Sequence, residues 1–179
     1  MSDHGGHEPE TLRGLARHYL GDLVYGANDG IITTFAVVAG VAGASLSPRI
    51  VLILGFANLL ADGFSMGASN FLAIRSDQDA RVAAGKARNE PFPVRHSTAT
   101  FIAFIIAGAV PLLSYVVLAG DAAFGPAVVL TLATLFVVGA ARTLVTEVAW
   151  WRGGLEMLVV GAAAAAMAYL IGSFVSGLT

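Results

Sequence analysis

Five long stretches of nearly uncharged, apolar sequence constrain this chain more than any other feature. They fall at about residues 24–46, 50–74, 97–119, 123–144 and 154–177. A helix needs about 20 mostly apolar residues to cross the hydrocarbon core of a bilayer. Each stretch reaches that length. The sequence therefore predicts an all-α, polytopic integral membrane protein with five transmembrane helices.

The overall composition supports a chain that is solvated by lipid. Only 12% of its 179 residues are charged and 56% are hydrophobic, whereas a soluble domain carries about 25% charged residues. The net charge of −2 gives no reason to expect a nucleic-acid partner. The chain has no cysteine, which excludes disulfides and thiolate metal sites. The polar start lacks the basic-then-apolar order of a cleaved signal peptide, so we expect the first apolar stretch to be retained.

The predicted domain organisation has two parts. Residues 1–18 form a polar N-terminal tail and the start of an interfacial amphipathic helix, and residues 19–179 form the five-helix transmembrane domain. A short cytoplasmic loop is expected at 75–96. The amphipathic helix rests on apolar residues at helical spacing, with arginines on another face: Leu12, Leu15, Tyr19 and Leu23, against Arg13 and Arg17. A plain helical extension of the first span fits this pattern equally well.

The basic residues predict the orientation of the five helices. Nine of them fall on one side of a five-span topology, and Arg49 alone falls on the other. The nine are Arg13, Arg17, Arg75, Arg81, Lys86, Arg88, Arg95, Arg142 and Arg152. The positive-inside rule then places the N-terminus in the cytoplasm and the C-terminus outside. With no organelle signal evident, we expect a prokaryotic inner membrane and contact with its lipids.

One polar stripe runs along the second predicted span, with Asp62 close to its middle. Its members recur at spacings of three and four residues: Asn58, Asp62, Ser65, Met66, Ser69 and Asn70. An ionisable side chain inside a bilayer is costly, so the stripe must face protein or a water-filled path. Two interpretations stay open, a cation pathway and a hydrogen-bonded seam between packed helices.

Asp29 is the second acidic residue inside a predicted span. It follows Asn28 and precedes Gly30, Thr33 and Thr34. In one interpretation Asp29 lies in a turn and caps a helix that begins at Gly30. In the other, the helix begins near residue 24 and Asp29 lies more than one turn inside it. The sequence alone does not separate these alternatives.

The buried polar side chains form a mixed set of metal ligands. Carboxylate and amide oxygens suit Mn²⁺ and Mg²⁺, and a thioether adds tolerance for softer ions such as Fe²⁺. A carboxylate can also take up a proton, which gives a physical basis for exchanging metal against protons. The candidate metal ligands are Asp29, Asp62, Met66 and Asn58, and weaker candidates for a pathway are Glu156, Ser65, Asn28 and Thr33.

Two further groups of residues bear on function. The N-terminal tail holds possible metal ligands in His4, His7, Glu8 and Glu10, although dispersed ligands on a tail are weak evidence of a site. All four histidines lie outside the predicted spans, and no nucleophile, general base or phosphate-binding loop is recognisable at depth. We therefore expect no enzyme activity and no resident cofactor.

Four sequence segments resemble the vacuolar iron transporter family, which has nodulin-like and bacterial members. They are NDGIITTFA with GVAGA at 28–44, ILGFANLLAD with FSMG at 53–67, PLL at 111–113 and GLEML at 154–158. The resemblance implies a five-span homodimer that moves Fe²⁺, and often Mn²⁺, out of the cytosol against protons. It also implies that the family's pathway aspartate and methionine fall on Asp29 and Met66.

Two departures from the family qualify this expectation. The better-known iron transporters carry a glutamate-rich cytoplasmic metal-binding domain between spans two and three, where this chain has only the segment 75–96. The family's pathway glutamate in the second span corresponds to Asn58, and Asp62, one turn on, could take over its charge. The sequence thus favours an exporter of divalent iron or manganese. The alternative is a membrane scaffold whose polar stripe is only a packing seam.

Overall fold

The chain folds into a bundle of helices, seen in a computed structural model that describes residues 12–118, 120–144 and 149–178. The α-helices are α1 Leu12–Gly43, α2 Pro48–Ala83, α3 Pro93–Gly108, α4 Val110–Val117, α5 Phe124–Ala141 and α6 Trp150–Ser176. Helices α3 and α4 together form one span, Pro93–Val117, so five segments within these described residues are long and apolar enough to cross a membrane. The prediction of an all-α fold with five spans is confirmed.

The first helix is longer than the predicted span. It runs without a break from Leu12 through the whole first apolar stretch. The structure therefore shows the plain helical extension of the first span, and not a separate amphipathic helix before it. No proline lies between residues 12 and 24, and the glycines there do not interrupt the helix. The hydrogen-bond ladder therefore continues from residue 12 into the apolar first span.

The connection between the second and third spans is shorter than the predicted loop 75–96. Helix α2 continues to Ala83, and α3 begins at Pro93. The residues after 74 are mostly alanine, arginine, aspartate and glutamine, which tolerate a helix in water as well as in lipid. The first strong breaker is Gly85, which has a φ of +72°. The apolar pattern located the membrane-spanning part of α2 but not the end of the helix.

The third span is interrupted where its proline lies. Pro111 has no N–H to donate, and its ring clashes with the preceding turn. The helix breaks at Ala109, and the Leu112 N–H donates to the Ala109 carbonyl at 3.0 Å, three residues back. Pro111 thus accounts for the junction between α3 and α4.

Helix α1 lies at the centre of the bundle, in close contact with α3. A Cβ atom at Gly26 would lie 2.3 Å from the Thr100 carbonyl oxygen, and one at Gly30 would lie 2.4 Å from that of Phe104. Such distances mean that the two backbones touch, as occurs where glycines line a helix interface in membranes. Because the contacting residue numbers increase together along both helices, α1 and α3 run parallel.

The buried face of α2 is a row of residues four apart, which includes Gly63 and Gly67. A Cβ atom at Gly63 would meet Phe104 and Ile105 at 3.1 Å, and one at Gly67 would meet the Ser97 carbonyl at 3.1 Å. These small residues form a helix interface between α2 and the antiparallel α3. The polar stripe of α2 lies directly beside this buried row.

The order of the helices sorts the basic residues between the two ends of the bundle. The end at which α1 begins also holds the α2–α3 connection and the junction between α5 and α6. We call it the basic end, since every Lys and Arg of the chain except Arg49 belongs to it. The charge separation expected for five spans is therefore a property of the fold.

Candidate functional site

Asp29 lies in the interior of the continuous helix α1. No turn or helix start occurs there, so the capping interpretation does not describe this structure. The Thr33 hydroxyl donates to the Asp29 backbone carbonyl at 2.8 Å, a bond within the same helix. The Asp29 side chain is half-buried. The carboxylate is therefore held at depth in a span, where its charge is costly unless something offsets it.

Asp62 brings a second carboxylate to the same region from α2. It is also half-buried, and the carboxyl groups of Asp29 and Asp62 are close enough to repel each other electrostatically. Neither carboxylate has a hydrogen-bond or ion-pair partner among the described residues. Two acidic groups that influence each other electrostatically from neighbouring helices, each without a partner of opposite charge among the described residues, form an arrangement that a divalent cation would stabilise.

Two asparagines near these carboxylates have buried atoms without partners. They are Asn28 Oδ1 on α1 and Asn58 Nδ2 on α2, and the buried Thr34 hydroxyl shares this property. An unpaired buried polar atom costs about 1–3 kcal/mol. The oxygen and nitrogen of an amide exchange places on a flip, so Asn58 can present an oxygen at the same position. Amide oxygens are ligands for hard divalent cations.

The remaining stripe residues of α2 extend toward the outer surface of the helix bundle. Met66, one turn beyond Asp62, is half-buried, and Ser65 and Ser69 are exposed. In a bilayer this row of hydroxyls would face lipid unless another protein surface covers it. The stripe is therefore continuous from the carboxylates to an outer face of α2.

The weaker candidates occupy different places. Glu156 lies on the exposed surface of α6 at the basic end and forms an ion pair with Arg142. Asn28 lines a cavity of about 370 Å³ beside Tyr25, Arg142 and Met157, on the side of α1 that faces α5 and α6. The structure thus groups Asp29 with Asp62, and it places Glu156 in an ion pair at the surface. The tail residues His4, His7, Glu8 and Glu10 lie outside the described residues.

A polar cluster at the basic end was missed by the sequence reasoning. It joins His18 and Asp22 of α1 to Glu90 in the α2–α3 connection and His96 of α3, with His96 Nδ1 2.5 Å from Asp22 Oδ2. Asn70 of the predicted stripe belongs to this cluster, since it donates to Asp22 Oδ1 at 2.7 Å. The four-residue spacing of His18 and Asp22 was a visible signal, but their hydrogen-bond partners lie 48 to 78 residues away in sequence.

Comparison with known proteins supports the family resemblance. The model of the VIT family matches residues 20–90 and 82–173. The "Vacuolar iron transporter" of Toxoplasma gondii is 41% identical over 85 residues, 48% of this chain and 28% of that protein. "Vacuolar iron transporter homolog 4" of Arabidopsis thaliana is 34% identical over 104 residues, 54% of this chain and 52% of that protein.

A relative with broader coverage extends the likeness to most of the chain. "Vacuolar iron transporter 1" of Eucalyptus grandis is 27% identical over 206 aligned positions, which cover 83% of this chain and 83% of that protein. The chain spans about half, or less, of the length of the two relatives named before it.

Proposed function

The chain belongs to the VIT family, and from that premise we propose that it carries divalent iron, manganese or both out of the cytosol in exchange for protons. The family match covers nearly all of the membrane-spanning sequence, and the named relatives are vacuolar iron transporters. The observation that carries the proposal is the pair of unpaired, half-buried carboxylates on neighbouring helices, Asp29 and Asp62.

The proposed mechanism uses these two carboxylates in alternation. A divalent cation between them offsets two negative charges, and protons offset them when the cation leaves. Asn58 and Met66, each one turn from Asp62, supply a hard oxygen and a soft sulfur as supplementary ligands. Thr33 and Ser65 are proposed as weaker polar contacts along this path, and Asn28 is a weaker candidate on the side of α1 that faces α5 and α6. A site of this kind holds cargo and needs no resident cofactor.

The proposed orientation follows from the basic end. Positively charged residues are retained on the cytoplasmic side of membranes, so we assign the basic end to the cytosol and the C-terminus to the outside. Metal then enters from the end that carries the α2–α3 connection. The proposed host is a prokaryotic plasma membrane, whose lipids surround the apolar outer faces of α2, α5 and α6.

The exposed part of the polar stripe supports a homodimer. Ser65 and Ser69 face outward from α2, and hydroxyl groups at bilayer depth are more stable against protein than against lipid. A second copy of the chain is the proposed cover, with α1 and α2 at the subunit interface. Metal would then pass beside the interface and not through the centre of one subunit.

Because the chain has no cysteine, single cysteines give a clean test of this interface. We expect Ser65→Cys to form disulfide-linked dimers in native membranes under mild oxidation. Ser173→Cys, the same substitution at an exposed position on α6, is the matched control and should stay monomeric on a non-reducing gel. Equal cross-linking of both variants, or of neither, would contradict an interface on α2.

Transport into liposomes tests the proposed function directly. Purified protein should take up Fe²⁺ and Mn²⁺ in preference to Ca²⁺ and Zn²⁺, and the internal pH should change in step with metal flux. Liposomes without protein provide the baseline. Uptake no faster than this baseline, with insertion of the protein confirmed, would contradict the transporter proposal. Metal flux without a pH change would contradict the proposed exchange for protons but not the proposed metal transport.

A further inference from the structure

We propose that His18, Glu90 and His96 form a second divalent-metal site, at the basic end and separate from Asp29 and Asp62. Three ligand atoms converge there from α1, α3 and the α2–α3 connection. His96 Nε2 lies 3.1 Å from His18 Nε2 and 3.1 Å from Glu90 Oε2. His18 Nε2 lies 3.3 Å from Glu90 Oε2. The three atoms form a nearly equilateral triangle.

The size of this triangle fits a first-row transition metal. Bonds from such a metal to imidazole nitrogen and carboxylate oxygen are about 2.0–2.2 Å long. At bond angles between 90° and 109°, two such ligands are therefore about 2.8–3.6 Å apart. All three measured separations lie in this range, so an ion near the centre of the triangle needs little movement of the side chains.

Asp22 fixes the orientation of the His96 ring. A carboxylate oxygen only accepts, so the short contact between Asp22 Oδ2 and His96 Nδ1 places the proton on Nδ1 and turns the lone pair of Nε2 toward the triangle. Asn70 donates to Asp22 Oδ1 at 2.7 Å. A carboxylate behind a ligating histidine is the usual outer support of metal sites.

Hydrogen bonds also fix the position of Glu90, although this residue lies in the connection between α2 and α3. The Phe92 N–H donates to Glu90 Oε1 at 3.1 Å, which leaves Oε2 for the triangle. The buried side chain of Gln78 accepts from the N–H groups of Asn89 at 2.9 Å and Glu90 at 3.2 Å. These bonds fix the backbone that presents the carboxylate, as a preorganised ligand requires.

The ligand set indicates which ions the site takes. Two imidazoles and one carboxylate favour Fe²⁺, Co²⁺ and Zn²⁺ over Mg²⁺ and Ca²⁺, which prefer oxygen alone. Three protein ligands leave at least one coordination position open for water or exchange. The side chains of His96, Glu90 and His18 are 10%, 15% and 28% exposed, so an ion can enter while the site remains partly shielded from water.

The position of the site suggests that it loads cargo, a role that rests on the proposed transport function. On α1, His18, Asp22 and Asp29 are spaced by four and seven residues and share one face. On α2, Asn70, Met66 and Asp62 are spaced by four. At 1.5 Å per residue, the cluster lies about 16 Å along α1 from Asp29. Polar groups on both helices thus connect the cluster to the two carboxylates.

Titration with Co²⁺ tests the site independently of transport. The full-length protein, in lipid nanodiscs, carries Asp29→Asn and Asp62→Asn to remove the first site, and His4→Ala and His7→Ala to remove tail ligands. We expect one Co²⁺ per chain, with the visible absorption bands of nitrogen-coordinated cobalt. Glu90→Gln and His18→Ala, each in this background, should weaken binding at least about tenfold. Asp79→Asn, the same type of change at an exposed carboxylate, should bind like the background.

Each outcome of this titration decides the proposal. Absence of Co²⁺ binding in the background protein would overturn it, as would unchanged affinity in both Glu90→Gln and His18→Ala, since the three atoms would then be joined only by protons. A thermal melt identifies any variant that fails to fold. The Co²⁺ affinity of the other variant then decides whether the site exists. For the loading role, Glu90→Gln in the otherwise native chain should raise the KM for metal and leave kcat unchanged. If the native chain transports nothing, the transport proposal fails and the Co²⁺ result still stands.

Discussion

Replacing Asp62 with asparagine should abolish most metal transport while the protein still folds and assembles. The substitution keeps the shape of the side chain and removes one of two charges that would hold the cation. Removing one partner of a buried charge interaction costs about 3–5 kcal/mol, and about 1.4 kcal/mol corresponds to tenfold in affinity. We therefore expect flux to fall by about 100-fold or more.

The same substitution should not destabilise the protein, and this separates the transporter from the scaffold alternative. The Asp62 carboxylate has no hydrogen-bond partner among the described residues and is repelled by Asp29, so asparagine relieves repulsion and breaks no observed bond. Flux into liposomes and thermal unfolding are measured on the same preparation. Asp79→Asn, which also replaces a carboxylate of α2 by an amide, is the control and should transport like the native chain.

A packing seam makes a different prediction for Asp62→Asn. If the stripe only joins helices, assembly should persist and any flux should be unchanged. Native-like flux in Asp62→Asn, measured on protein shown to be folded and inserted, would remove Asp62 from the proposed pathway. A loss of both flux and assembly would show that Asp62 is needed for packing, contrary to its unpaired position.

Replacing Gly30 with alanine should cause a large loss of stability, because α1 has no room for a methyl group at this position. An added Cβ would lie 2.4 Å from the Phe104 carbonyl oxygen and 3.0 Å from that residue's Cα. The atoms in the way belong to backbone, so they cannot move aside as a flexible side chain would. Overpacking of this kind costs about 1–3 kcal/mol and sometimes more, and here it would push α1 away from α3.

Gly21→Ala is the matched control, because it adds the same methyl to the same helix. A Cβ there meets nothing within 4 Å, and alanine is about 1 kcal/mol better than glycine in a helix interior. We expect the melting temperature in nanodiscs to fall for Gly30→Ala and to stay level or rise for Gly21→Ala. Equal melting of the two variants would mean that α1 and α3 are not in backbone contact at Gly30.

The hydropathy pattern was sufficient to predict the number and approximate position of the spans. A bilayer imposes a minimum apolar length on any helix that crosses it, so the signal is local and needs no knowledge of neighbours. Asp29 and Asp62 are recognisable in the same way, because a charged residue inside an apolar stretch is conspicuous whatever the fold. The family match over residues 20–173 agrees with the resemblance of their flanking motifs.

The local sequence is less informative about helix ends and turns. It left Asp29 between a turn and a helix interior, and the structure shows an uninterrupted α1. It placed a loop at 75–96, where α2 in fact continues to Ala83. In both places the residues are compatible with a helix or with a turn or loop. Packing of α1 on its neighbours selects the helix at Asp29, and continuation of the hydrogen-bond ladder selects it after residue 74.

By itself, the sequence determined that this chain is an integral membrane protein, how many segments can cross the bilayer and which acidic residues fall inside those apolar segments. The tertiary structure alone decided that His18, Glu90 and His96 meet. His18 and His96 are 78 residues apart, and their proximity depends on the parallel contact of α1 with α3, which Gly26 allows. Crossing a bilayer is a property of each segment, whereas a ligand triangle exists only after separate helices have packed.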